Sequence, residues 1–219
     1  MKKSTFDNRP ELLVQEGAVM RINFDVESVM EQIPSMDGGE PGEREVFKAY
    51  VVRVPVPFSI ASVKAVLMAE GFDEYKSEAV ACEAEFVFRG SSDIDLAKQM
   101  VIARISAYDS SSEVNDLTVN GKHMWFDKAT RASISYSMTV EKDAGETTTT
   151  LYDNDDVAYV LPIDTALGMF AQLELYAKAC FNNTAAHKAA VMAKRTVNTV
   201  LSYDFTTGYP QKLSFSLSE

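Results

Sequence analysis

Two cysteines, two histidines and one tryptophan among 219 residues leave little material for metal clusters, disulfide frameworks or imidazole-based catalysis. Cys82 and Cys180 are far apart and sit among small or apolar neighbours, so both read as buried thiols of a reducing compartment. His123 and His187 belong to no H-x-x-x-H pattern, and no C-x-x-C pair is present, so no metal-ligand spacing is found. The strings that mark phosphate loops, dinucleotide turns and hydrolase elbows are also missing. No run approaches the roughly 18 apolar residues that a membrane-spanning helix needs. The N-terminus has two lysines but no apolar segment behind them, which is not the pattern of a secretory leader. Basic residues are outnumbered 21 to 32, giving a net charge of -11 and a pI near 4.7. That balance argues against nucleic acid or an anionic membrane as partner. The acidic turn Asp153–Asp156 lacks the glycine and distal glutamate of a calcium loop and reads as solvated. No catalytic, cofactor-binding or metal-binding residue is therefore assigned.

What the chain does carry is 46% hydrophobic residues, enough for a sizeable core without a staple. The patterning predicts an α+β protein in three parts. Residues 1–16 read as an exposed arm, residues 17–90 as a unit of strands and helices, and residues 91–219 as helices layered with two β-hairpins, with Gly90–Asp93 as the boundary. Ala18–Val26 alternates as a strand, and Val46–Pro57 reads as another, whose last part Pro55 and Pro57 confine to an edge or exit. Ser35–Gly42 reads as a loop. Ser59 caps a helix over Ile60–Glu70 that Gly71 stops. Ser77–Phe88 reads as a helix whose Phe86–Val87–Phe88 end fits strand equally well.

Asp93 caps a helix from Ile94 to about Tyr108. Asn120–Gly121 is a type I′ turn signal, because both residues tolerate positive φ, and it sets a hairpin in which Leu117 faces Met124, Thr118 faces His123 and Val119 faces Lys122. Leu117, Val119, Met124 and Phe126 then share one face, with Trp125 on the other. Asp127 caps a helix to about Ser137, although Ile134, Tyr136, Met138 and Val140 also alternate. Thr147–Tyr152 and Val157–Leu161 form a second hairpin. Asp164 caps a broad apolar helix through Met169, Leu173, Tyr176 and Cys180, which Asn182–Thr184 interrupts or re-caps, and Thr196 caps a short last helix. Tyrosine and tryptophan are enriched at interfaces, which makes His123, Trp125, Tyr152, Tyr159 and Tyr209 the candidate contact residues. On that reading Trp125→Ala weakens assembly more than folding.

The strings Ile105–Ile134, Glu146–Tyr152, Asp164–Val191 and Ser202–Phe215, in that order, resemble a domain family of tailed bacteriophages and Bacteroidales prophages, found in tail-fibre and tail-fibre-assembly-like proteins. The resemblance covers somewhat more than half of the chain. It implies a non-enzymatic virion protein, tail-associated and of adaptor or fibre-attachment type, whose partners are other virion proteins and further copies of itself. An assembly chaperone absent from the mature particle, and a ligand binder or enzyme with a scattered site, are the alternatives.

Overall fold

The computed structural model describes residues 1–33, 42–152 and 157–217. Its N-terminal residues are not a loose arm. Strand β1 (Ser4–Phe6) pairs antiparallel with β4 (Gly42–Pro55), and β2 (Leu13–Glu16) with β3 (Val19–Ile33), in a sheet of order β1-β4-β3-β2. Asn23 explains the difference from expectation. Alternation puts it on the outward face, yet it is buried, with its amide Nδ2 donating to the Glu11 carbonyl (2.7 Å) and its backbone N–H to that of Leu12 (2.8 Å). One polar residue in β3 thus holds down the segment before β2.

β3 and β4 pair along almost their whole length, with a bulge after Phe24 where Asp25 takes φ +52°. Lys76 reaches that bulge through its ion pair with Asp25. The loop expected at Ser35–Gly42 lies outside the described residues, except for Gly42, which opens β4. Helix α1 (Ile60–Ala69) starts on a reciprocal cap in which Ser62 N–H donates to Ser59 Oγ (3.3 Å) and Ser59 N–H to Ser62 Oγ (2.9 Å). Helix α2 (Glu74–Phe88) is capped by Asp73 and stays helical through Phe86–Val87–Phe88. Its small buried residues Ala81 and Ala84 pack with Ile22, Val54, Val63 and Leu67 in one apolar core. Cys82 is buried and free, and burial pushes its thiol pKa up to about 12.

The division of the chain differs from the boundary expected at Gly90–Asp93. One unit comprises Met1–Ala107 with Val191–Tyr203, the other Tyr108–Ala190 with Asp204–Glu219. Helix α3 (Ile94–Ser110) therefore belongs to the first unit through Ala107.

In the second unit the expected hairpin is present, with β5 (Leu117–Val119) and β6 (Lys122–Met124) in the predicted register. Asn120 and Gly121 have φ of +50° and +79°. Helix α4 (Lys128–Asp143) runs past Ser137 to end before Gly145. Strands β7 (Thr148–Tyr152) and β8 (Ala158–Pro162) form the second hairpin, whose turn at Asp153–Asp156 lies outside the described residues. Helix α5 (Ile163–Met192) starts one residue before the expected cap, so Asp164 lies in its first turn, and it is unbroken at Asn182–Thr184. A short α6 (Val197–Leu201), part of the first unit and capped by Thr196 as expected, precedes β9 (Leu213–Phe215) of the second, an unforeseen strand that pairs parallel with β5. Leu117, Val119, Met124, Met138, Phe170 and Leu173 meet in the core of this unit.

Candidate functional site

The start of α4 borders a concavity of the second unit. Asp127 caps the helix, accepting from the Thr130 N–H and hydroxyl, both at 2.9 Å. Those two bonds hold its carboxyl below the ordinary aspartate value. A group with a lowered folded pKa stabilises the fold fully above its unfolded pKa and loses that contribution as pH falls through the folded value. Asp127→Asn keeps a capping oxygen but removes the charge, so the Tm difference from wild type should be present at neutral pH and close on acidification below the ordinary aspartate range. A gap that does not change between neutral and acidic pH contradicts this assignment.

One turn further along α4, Arg131 is only 7% exposed. Its Nε donates to Glu174 Oε2 on α5 (3.0 Å), its Nη1 to the Phe126 carbonyl (2.7 Å), and its guanidinium lies 5.5 Å from the Trp125 ring. Trp125 in turn meets Tyr176 edge to face at 6.2 Å, and the Tyr176 hydroxyl donates to the Val114 carbonyl (2.7 Å). Burial raises the Tyr176 pKa, so it is a structural donor. Around this chain of contacts opens a cleft of about 500 Å³, walled by Trp125, Arg131, Glu174, Phe181, Lys128 and Lys178. Asp109 and Cys180 also reach it, and burial raises the Cys180 pKa, so that thiol is poorly suited to act as a nucleophile. Among the described residues no three His, Cys, Asp or Glu side chains are placed to hold a metal ion. The cleft can therefore bind by charge and by aromatic surface.

The five candidate contact residues fall in separate places. His123 is exposed, and its Nδ1 lies 2.9 and 3.0 Å from the two carboxylate oxygens of the buried Asp116, which also faces Lys212 Nζ at 3.4 Å. Trp125 is half-buried and packs on the core as well as lining the cleft, so Trp125→Ala costs folding as well as any contact. Tyr159 lines an apolar slot beside Phe215 and Leu217, and Tyr152, 59% exposed on the other face of the hairpin, reaches only its margin. Tyr209 is tied inward. Its hydroxyl lies 2.8 Å from Thr184 Oγ1, which donates to Asp109 (2.7 Å), and its ring stacks on His187 at 5.8 Å. Nearby, Asn183 Nδ2 donates to the Thr207 carbonyl (3.1 Å), and His187 Nε2 lies 2.9 Å from the same oxygen.

Arg131, Glu174, Lys128 and Lys178 were not singled out from sequence. A signal was present for Arg131: with Ile134 and Met138 it follows the spacing of the buried helical face, where a cation needs a partner. No protein-family model matches this chain, and none of the curated proteins or solved structures compared with it is a match.

Proposed function

We propose that the protein is a non-enzymatic structural or accessory component of a tailed-bacteriophage virion, tail-associated and of adaptor or fibre-attachment type. It works through contacts with other virion proteins and with further copies of itself. The observation that carries the contact-forming part is the β7–β8 hairpin. Its burial alternates cleanly, so that Thr148, Thr150, Tyr152, Ala158, Val160 and Pro162 all face outward and none is charged. In a chain of net charge -11, such a face lacks the repulsion that would oppose docking. β7 and β8 pair only with each other among the described residues, so both are edge strands, the position from which a sheet accepts a further strand. The assignment to a phage particle rests on the sequence resemblance.

Quantitative mass spectrometry of purified virions tests it. Stoichiometric copies support a structural part, whereas presence only in infected-cell lysate assigns the protein to assembly instead. The hairpin face has its own test. Val160 is 67% exposed, so Val160→Asp loses strand propensity rather than packing, up to about 1 kcal/mol, and should lower Tm by no more than about 4 °C. It should also lower incorporation into particles by roughly tenfold, the scale of about 1.4 kcal/mol at an interface. Unchanged incorporation removes this face from the contact.

A further inference from the structure

The two edges of the β7–β8 hairpin are not equivalent. Ile163 N–H donates to the Thr147 carbonyl (3.0 Å), and the register that sets Thr148 opposite Pro162 sets these two opposite each other, as a hydrogen-bonded pair. Bonded and non-bonded pairs alternate along an antiparallel ladder. Thr149 and Leu151 therefore bond to β8, while Thr148, Thr150 and Tyr152 turn their N–H and C=O groups to the open edge. From outside the hairpin no hydrogen bond reaches these three among the described residues. On β8 the outward positions are Ala158, Val160 and Pro162, and Pro162 has no N–H to give. Proteins guard an open edge with a lysine, a proline or a bulge. β8 carries its proline, whereas β7, Thr-Thr-Thr-Leu-Tyr, has none of the three.

We infer that β7 is the seat of a two-fold contact, in which a second copy of this chain adds its own β7 antiparallel and joins the two hairpins into one continuous sheet. The strand is self-complementary about Thr150. With Thr150 opposite Thr150 of the second copy, Thr148 falls opposite its Tyr152. All are positions whose N–H and C=O groups face the edge, so about six backbone bonds close. On the outward face a threonine pair stands at the axis, flanked by tyrosine–threonine pairs, combinations that favour neighbouring strands. On the inward face Leu151 falls opposite Thr149. The same arrangement on β8 would lack the bonds that Pro162 cannot donate. Charge selects the occupant. A two-fold axis brings each residue near its own copy, so in a chain of net charge -11 it is least opposed where charge is absent, and Thr147–Tyr152 carries none. The inference rests on the reading that the protein contacts further copies of itself through this hairpin, and it does not depend on which particle it belongs to.

Sedimentation of the purified chain measures the association, and cysteine variants map it. The wild type should form a dimer at micromolar concentration that tightens with added salt, because screening relieves the repulsion between two acidic chains. Thr150→Pro removes the N–H at the axis but keeps the bonds of Thr149 and Leu151 to β8. The hairpin then stays closed while the dimer weakens roughly thirtyfold, the effect of two lost bonds. Thr150→Cys should cross-link two copies in oxidised glutathione, since a bonded cross-strand pair brings its Cα atoms to about 5.5 Å, within disulfide range. The native Cys82 and Cys180 are buried and do not compete. Thr148→Cys and Val160→Cys should not cross-link to themselves, because this register holds each about 14 Å from its own copy. Cross-linking is read without any proline in the strand, so it decides the matter even where Thr150→Pro loses stability. A monomeric wild type, a dimer that weakens with salt, a dimer that a folded Thr150→Pro leaves intact, or cross-linking at Thr148 or Val160 in preference to Thr150 overturns the inference. All of this is measured on the free chain in solution, so it fails separately from mass spectrometry of virions.

Discussion

Leu173→Ala should lower the unfolding free energy by about 3–5 kcal/mol, among the larger losses available to a single truncation. Leu173 is 2% exposed on α5 and lies in the same core as Leu117, Met138 and Phe170. Removing its isobutyl group forfeits the transfer free energy of those carbons and leaves a void. Two β-strands, a neighbouring helix and α5 itself can close that void only in part. Leu175 supplies the comparison. It lies two positions along the same helix but is 70% exposed, so Leu175→Ala should change stability by no more than about 0.5 kcal/mol. Helix propensity is the same change in both variants, and the difference between them therefore isolates burial. Urea denaturation of the three proteins measures it, and similar losses in both variants would mean that α5 is not buried as described.

Gly208→Ala should cost about 2–3 kcal/mol, from two sources that can be separated. Gly208 has φ +80°, in the left-handed region, where a Cβ is unfavourable by about 1–2 kcal/mol. A Cβ there would also lie 2.9 Å from Asn183 Oδ1, too close for either to stay. Asn183 is the residue that donates to the Thr207 carbonyl, so moving it breaks a bond holding the C-terminal segment to α5, a further loss of about 1 kcal/mol. Gly145 provides the backbone penalty alone, because its φ is +92° and nothing lies within 4 Å of an added Cβ. The difference between Gly208→Ala and Gly145→Ala then measures the clash. In an Asn183→Ala background that difference should shrink, and a double-mutant cycle showing no coupling between 183 and 208 would refute the account.

What the sequence made legible was local chemistry with one physical solution. Asn120–Gly121 admits a tight turn and fixes the register of Leu117, Thr118 and Val119 because strand periodicity leaves no other pairing. Ser59, Asp127 and Thr196 precede helices in which their oxygens accept from the first turn. Long-range competition was not legible. Asn182–Asn183–Thr184 carries the composition of a helix break, yet α5 continues, because Asn183 and Thr184 spend their polar groups on Thr207, Asp109 and Tyr209. Trp125 follows the last residue of β6, so the alternation that placed it outward had already ended, and its ring turns onto Tyr176 and Arg131. β1 and β9 are three residues each, too short for a period of two to register, and β9 pairs in parallel with a strand almost a hundred positions earlier. The cleft was hidden for the same reason, since α3, α4 and α5 each contribute residues that no spacing brings together.

The discontinuous make-up of the two units has a consequence for the order in which a ribosome delivers them. The first unit includes Val191 and Val200, both fully buried, yet these residues are synthesised only after all of Tyr108–Ala190. Its sheet and first helices can collapse early, but its last buried side chains arrive once most of the second unit has left the exit tunnel. The second unit in turn waits for β9, near the end, to flank β5. A nascent chain halted at Ala190 therefore holds two incomplete cores at once, and stalled-ribosome proteolysis should find neither fully protected until the stretch from Val191 to Phe215 has emerged.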